Sequence, residues 1–433
     1  MSHRRRVLNL VLKNEFTGVH SLHRLNLLSR HNNLFYPTAK AAEDAAADVL
    51  FAAVDDDDDH RRDFLYNDTA LRMLGDESLE KVEEMRVPPP AMSFQPSPHP
   101  RSGDTLWSRM DCAALSETRT LFVDLGSHGA FLHDAEARCV AAMPSFPERW
   151  WRAYFPVAGA GDDSVYFMAR DPVGDDDSLQ FKAMVHRKPR ARASCYGKRW
   201  RLEELPPPPY ADHAAGARRD AKIMVSYAMM AGGCAAAAAS DDVICVSTEG
   251  CGTYCFDTAS RAWSKAGDWA LPFDGKVEHD RELGIWLGFV RQFPYEEDGD
   301  SSLYATSDLL ADVDRRSLIC YAGDGDDNCR NLMAPWRWRK ADELGVPQVV
   351  GLGSGKFCVT QFFETMRSAC SKCFHEDPDK GFAVLTGVEV VRSGSDDSKE
   401  HAGDGTGPSE LRVIIHKSKR YVFTKGNTLK FVL

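Results

Sequence analysis

Cys370, Cys373 and His375, in the run CSKCFH, carry the clearest metal-ligand spacing in this chain. Cys-x2-Cys is a common zinc half-site because one turn brings two thiolates to the same ion. A structural site takes four ligands, and no second Cys/His pair lies nearby at a suitable spacing. Cys358 and Glu376 would complete the set only by accident of folding, so this stretch is expected to be a surface loop with spare thiols. No thioredoxin-like βαβ pattern surrounds the pair, which argues against redox use. Cys251, Tyr254 and Cys255, in CGTYC, raise a copper site, but such sites also need well-placed histidines. None of the 14 histidines falls in that unit, so a buried turn and strand is expected there.

GLGSGK, Gly351 to Lys356, looks like a phosphate loop at first sight. A phosphate loop needs G-x4-G-K-[ST] feeding a helix, whereas Phe357 follows this lysine and opens a strand-like run. The glycines are therefore expected in a hairpin turn. The segment His186 to Arg201, HRKPRARASCYGKRWR, holds seven Lys/Arg with Tyr196 and Trp200 among them. Cations neutralise phosphates and aromatic rings stack bases, so contact with RNA or DNA is one use; nuclear import or an acidic partner are others. The plainer expectation is a solvated loop between two strands. Asp55 to Asp59 is a run of carboxylates without the alternation and glycine of a calcium loop, and is expected to be a solvated insertion. No G-x-S-x-G, H-E-x-x-H or G-x-G-x-x-G motif is present.

Composition narrows the classes further. The 433 residues are 43% hydrophobic, 27% charged and 10% aromatic, ordinary values for a globular chain. A net charge of −11 repels nucleic acid and anionic membranes taken over the whole molecule. The 12 cysteines are too sparse for a disulfide scaffold, and several sit inside apolar runs (VICVS, TYCFD, LICYA, KFCVTQFF), where cysteine serves as a small buried hydrophobe. A reducing compartment is expected. The basic start MSHRRRVLNLVLKNEF lacks a secretory apolar core, and the apolar tract Ala228 to Ala239 is too short to span a bilayer. The expectation is a cytoplasmic or nuclear protein that is not secreted and contacts no membrane.

The elements that would position these residues repeat. DDVICVSTEGCGTYCFDT followed by RAWSKAGDWALPF reads as strand, glycine turn, strand, short turn, strand. TLFVDLGSHGAFLHDAEARCVAAMP, Thr120 to Pro144, has the same outline. Asp134 matches Asp257, and Val140 matches Trp263, each six residues on. The aspartate is expected to hold backbone N–H groups of the turn and the later residue to pack between repeats. Weaker copies span Ser164 to Pro209, Glu282 to Leu344 and Lys356 to Thr424, the last with four runs ending in ELRVIIHKS and KRYVFT. Three or four strands every 50–65 residues point to an all-β fold, one β-propeller domain over 1–433. Six blades is the preferred count, with five or seven compatible, and either the N-terminal runs or the C-terminal TLKFVL is expected to complete a blade. Segments 41–63 (acidic, low-complexity and partly helical), 187–201 (basic), 364–380 and 392–409 (polar loops) are expected to be insertions.

DTASRAWSKAGDWALPF, LHRLN, PPPAMSF at Pro88 to Phe94, LGSGKFCV, FAVLTGVEV and HKSKRY resemble the marks of a family of uncharacterised grass proteins. That family is similar to kelch-type propellers with a galactose-oxidase-like central domain, and is catalogued as domain of unknown function 1668. The resemblance runs from Arg4 to Leu433; it implies the propeller and supplies no activity, substrate or catalytic residue. By analogy of fold, the expected function is a non-enzymatic, monomeric platform binding an unidentified protein partner on its loop face, without cofactor. An enzyme or small-molecule binder using a central channel is the alternative. Trp336 and Trp338 alternate with Arg337 and Arg339, so on a strand the two pairs face opposite sides. They are a candidate docking surface, against the simpler possibility that both tryptophans are packed between blades.

Overall fold

The computed structural model describes residues 5–45, 82–97, 110–124, 126–146, 154–158, 164–169, 181–188, 197–210, 224–231, 242–248, 251–271, 273–280, 282–291, 301–306, 347–368, 376–392, 411–424 and 426–433. Within them the fold is all-β, a mostly antiparallel propeller with almost no helix. The longest helical stretch is 39–45, and Thr38 caps it: its Oγ1 accepts the Ala41 N–H at 3.1 Å. Of the acidic 41–63 segment, only 41–45 is described. Cys370, Cys373, His375 and Trp336 to Arg339 also lie outside the described residues.

Short apolar runs make the strands, many of them buried on both faces, and glycine or aspartate turns separate them. The chain opens with β1 (Val7–Asn14), β2 (His20–Asn26), β3 (Glu83–Arg86) and β4 (Pro90–Phe94). Two antiparallel meanders follow. The first is β5 (Met110–Ala114), β6 (Arg119–Asp124), β7 (Ala130–Asp134) and β8 (Cys139–Met143); the second is β9 (Tyr154–Ala158), β10 (Ser164–Ala169), β11 (Phe181–Arg187) and β12 (Arg199–Glu204). Next come β13 (Met224–Ala231), β14 (Asp242–Thr248), β15 (Gly252–Asp257) and β16 (Ala262–Gly267), then β17 (Asp274–Asp280), β18 (Ile285–Arg291) and β19 (Ser301–Thr306). The chain ends with β20 (Gln348–Gly353), β21 (Lys356–Ser368), β22 (Glu376–Arg392), β23 (Leu411–Val422) and β24 (Asn427–Val432).

These strands form five sheets rather than the six expected. The orders are β24-β1-β2-β4, β5-β6-β7-β8, β12-β11-β10-β9, β16-β15-β14-β13-β17-β18-β19 and β20-β21-β22-β23-β3. Fusion explains the difference. Ser226, Tyr227 and Ala228 of β13 run parallel to Gly275, Lys276 and Val277 of β17, so two meanders that read as separate repeats share one seven-stranded sheet. Both chain ends enter one sheet, β24 beside β1, and Asn9 and Leu433 exchange backbone hydrogen bonds of 2.8 and 2.9 Å.

Two other expectations change. Segment 364–380, anticipated as a polar loop, is strand over 364–368 and 376–380, paired from Glu364↔Gly381 to Ser368↔Glu376. The ladder satisfies backbone groups whatever the side-chain polarity, so a polar composition does not prevent a long hairpin arm. ELRVIIHKS and KRYVFT form one strand, β23, because a register shift opposite Thr386 and Val388 absorbs the irregularity that reads as a break.

Two compact units make up the chain: Met1–Val7, Leu25–Pro89 and Glu278–Val432 in one; Leu8–Arg24, Pro90–Val277 and Leu433 in the other. In the second, one core gathers Tyr166, Phe181, Tyr227, Ile244, Val246 and Phe256, and another gathers Leu121, Val123, Leu132, Val165 and Phe167. In the first, Ile285, Leu287, Phe289, Phe357, Val359 and Val388 pack together.

A histidine ties the 34–36 strap to this last unit's sheet. The Lys417 N–H donates to Leu34 O at 3.0 Å, and the Tyr36 N–H donates to Nδ1 of His416 at 3.1 Å. Gly387 lets the strap approach, since a Cβ there would sit 2.4 Å from Leu34 O. With Nδ1 accepting, Nε2 of His416 donates to Glu389 at 2.8 Å, and Lys356 pairs with the same carboxylate at 3.1 Å. Burial holds the His416 pKa below its usual value, outweighing Glu389, which acts the other way. Protonation would also cost the bond from Tyr36. A depressed folded pKa contributes stability above the unfolded value of about 6.5, lost as pH falls below it. His133, depressed by burial and Arg24, acts with the same sign. The urea midpoint should therefore drop between pH 7 and pH 5, and His416→Gln should flatten that dependence in parallel titrations.

Candidate protein-interaction surface

Two hairpins in the second unit are built alike. In β7–β8 the register is Asp134↔Cys139 and His133↔Val140; in β15–β16 it is Asp257↔Ala262 and Phe256↔Trp263. Oδ1 of Asp134 accepts the N–H groups of Glu136 (3.0 Å) and Ala137 (2.9 Å). Oδ1 of Asp257 accepts those of Ala259 (2.8 Å) and Ser260 (3.0 Å). Each turn then ends on an arginine in the left-handed region, Arg138 at φ 52° and Arg261 at φ 58°. A short carboxylate that bonds two successive amides reverses the chain without glycine, and the four-residue spacing delivers an arginine to the same place in both. Asp257→Ala should lower stability by about 1 kcal/mol in chemical denaturation, whereas Asp257→Asn keeps the acceptor and most of the stability.

The two residues six positions on differ. Trp263 is half-buried against Phe256 and Phe181, with centroids 5.0 and 5.3 Å away, and its Nε1 donates to Pro206 O at 2.9 Å. Val140 is 56% exposed, contrary to the packing expected of it. A valine lacks both the reach and the N–H that seat the indole against the next hairpin.

Between these turns stands the basic hairpin. β11 and β12 pair through Lys182↔Glu204, Val185↔Arg201, His186↔Trp200 and Arg187↔Arg199, so the ends of the 187–201 segment are strand rather than loop. The His186 and Trp200 rings stack at 5.0 Å and 19°. Arg119 of β6 lies over the Trp200 ring at 5.8 Å and points its Nε to Asp134 at 3.8 Å. On the other side Glu203 is ion-paired with Arg261, beside the Trp263–Pro206 bond. The β11–β12 hairpin is thus clamped from both flanks by the aspartate-braced turns. Arg138, Arg187, Lys188, Lys198, Arg199 and Arg201 are exposed here, while Glu203 and Glu204 are engaged with Arg261 and the buried Lys182. Arg187, Arg199 and Arg201 lie on the two strands of this hairpin, with Lys188 and Lys198 beside them.

The family model described as a protein of unknown function, DUF1668, matches residues 5–421. The chain belongs to the DUF1668 family. No curated protein matches it. Among solved structures, it is similar to the β-propeller domain of Myceliophteria thermophila Cps50 (Swd1), with 9% identity, a TM-score of 0.27 and coverage of 47% of this chain and 57% of that one. A Bacteroides thetaiotaomicron protein of unknown function matches with 9% identity and a TM-score of 0.30, over 58% of this chain and 52% of the other. The DUF1668 chain therefore spans only about half the length of each of these structures.

Elsewhere in the DUF1668 protein, the chemistry-bearing motifs resolve into structure. GLGSGK forms the β20–β21 turn, with Ser354 and Gly355 at positive φ, and the Gly355 N–H is held by Oδ2 of Asp280 at 2.8 Å. Cys251 and Tyr254 are buried with Tyr210, whose ring lies 5.7 Å from that of Tyr254. Burial raises the Tyr210 pKa above its ordinary range. Among the described residues, no cluster of three or more His, Cys, Asp or Glu side chains could hold a metal ion, and no helix is long and apolar enough to cross a membrane. Arg119 and Glu203 were not singled out from the sequence. Their partners lie 15 to 81 positions away and no local pattern announces them.

Proposed function

We propose that this DUF1668 protein is a protein-interaction scaffold. Its β7–β8, β11–β12 and β15–β16 hairpins form a basic surface for an acidic segment of a partner protein. The observation that carries this reading is the double clamp: Arg119–Trp200 on one flank and Glu203–Arg261 on the other hold the exposed cations of the basic hairpin on a fixed base. Preorganised side chains lose less entropy on binding than mobile ones. The protein's net charge of −11 disfavours long polyanions, whereas a short acidic peptide would meet chiefly the cations of the basic hairpin.

Fluorescence anisotropy with a labelled glutamate-rich peptide tests this, beside a single-stranded RNA of equal length and a neutral peptide. Saturable binding of the acidic peptide, weakening as salt rises, is the expected result. RNA binding tighter than peptide, or equal weak binding of all three, would overturn the assignment.

A further inference from the structure

A different part of the same unit carries a second chemistry. Cys245, at the centre of β14, stands directly across from Cys255 of β15 in the antiparallel register, and their Sγ atoms are 2.8 Å apart. The thioether of Met230 on β13 lies 3.3 Å from the Cys245 sulfur. Cys245 is 6% exposed, while Cys255 is only half-buried. From this placement we propose that Cys255 and Cys245 form a peroxide-reactive dithiol, Cys255 as the attacking thiol and Cys245 as the resolving one, closing a reversible cross-strand disulfide.

The geometry asks for little movement. Directly opposed residues of antiparallel strands have Cα atoms about 4.5–5.5 Å apart, inside the span of about 4.4–6.8 Å that disulfides bridge. Two side-chain rotations then suffice. Division of labour follows from access: a hydroperoxide reaches the half-buried sulfur first, and the enclosed one can attack only its neighbour. Electrostatics agrees, because the hydrogen bond from Cys245 holds the Cys255 thiol below its usual pKa and burial acts against it. The buried thiols of Cys112 and Cys358 are pushed up by desolvation, the latter to about 12, and so stay protonated and inert.

The steps balance. The Cys255 thiolate attacks one oxygen of the hydroperoxide, the O–O bond breaks, and the departing oxyanion takes a proton, leaving a sulfenic acid. Cys245, losing its proton, attacks that sulfur; the S–O bond breaks, the S–S bond forms and water leaves. Two thiols give up two electrons, and hydrogen peroxide is reduced to two waters. A cellular dithiol would return the pair to the reduced form by exchange.

Peptide mapping of the full-length protein decides the matter. Reduced protein is treated with near-stoichiometric hydrogen peroxide, quenched with N-ethylmaleimide in denaturant so that buried thiols are also labelled, and digested, with metal content measured beforehand. The expected result is a Cys245–Cys255 linked peptide and a roughly tenfold loss of maleimide label at both positions, reversed by dithiothreitol. The exposed Cys139 should label as before. In Cys245→Ser, Cys255 should stop at a sulfenic acid that dimedone traps; in Cys255→Ser, Cys245 should remain a thiol. Unchanged labelling of both cysteines in the wild-type protein would overturn the proposal, as would oxidation of Cys255 to sulfinic acid without a bridge. So would a stoichiometric copper or zinc ion whose removal alone exposes the two thiols, since the pair would then be a metal site. The wild-type arm suffices even if a serine variant folds poorly.

Discussion

Replacing Phe256 with alanine should lower the unfolding free energy by about 3–5 kcal/mol, the range for a large aromatic removed from a packed core. Phe256 is fully buried in β15 and meets Phe181 of β11 edge-on, with centroids 4.7 Å apart at 89°. The Trp263 ring lies 5.0 Å away and that of Tyr166 lies 6.4 Å away. One side chain therefore joins the β9–β12 sheet to the meander of β13–β16, and its loss leaves a void lined by rings that cannot easily collapse. Domains of this kind have about 5–15 kcal/mol in total, so the variant should unfold at a much lower urea midpoint by tryptophan fluorescence. Phe256→Leu, which keeps much of the volume, should cost less than half as much. A loss under about 1 kcal/mol in the alanine variant would mean that the ring cluster is not the joint between these sheets.

Reversing three charges, as Arg187→Glu, Lys188→Glu and Arg201→Glu together, should weaken binding of the acidic peptide by roughly thirtyfold or more. Each exposed contact contributes on the order of 0.2–1 kcal/mol, and reversal replaces attraction with repulsion. All three side chains are exposed, so the urea midpoint should stay near that of the parent protein, which separates a binding defect from a folding one. The salt dependence should flatten in the same measurement. Trp200→Ala probes the brace instead of the charges: without the ring that stacks on His186 and lies under Arg119, the hairpin keeps its cations but loses its fixed base. Its expected effect is smaller, about three- to tenfold, and largely insensitive to salt. If the triple reversal leaves peptide affinity unchanged, the docking surface lies elsewhere on the protein.

These two sites also show how differently information is carried along the chain. Short apolar runs rich in β-branched and aromatic residues, as in VICVS, TYCFD and TLFVD, determine strands locally, because such runs bounded by turn residues favour an extended backbone whatever lies beyond them. Aspartate followed six residues later by a strand residue determines the β7–β8 and β15–β16 turns, since the carboxylate bonds amides only two and three positions on. The all-β class was legible on that basis, and the family resemblance on longer motifs such as DTASRAWSKAGDWALPF. The seven-stranded fusion was not, because the parallel contact of Ser226 to Ala228 with Gly275 to Val277 joins residues almost fifty positions apart. Polarity likewise misplaced 364–380, where backbone pairing overrides a charged composition.

Sequence alone, then, determined the local elements: strands, reversals, and the presence of a basic segment and many unpaired-looking cysteines. Tertiary structure decided which of them became neighbours. The aspartates of the two turns were visible as a repeat, but the clamp they make on the basic hairpin depends on Arg119, Trp200, Glu203 and Arg261 meeting across sheets. Cys245 and Cys255 read as two core residues until their register set them side by side. The physical reason is range. Turn chemistry and strand alternation act over a few bonds of backbone, whereas register, sheet fusion and side-chain pairing emerge only when the whole apolar surface is buried at once.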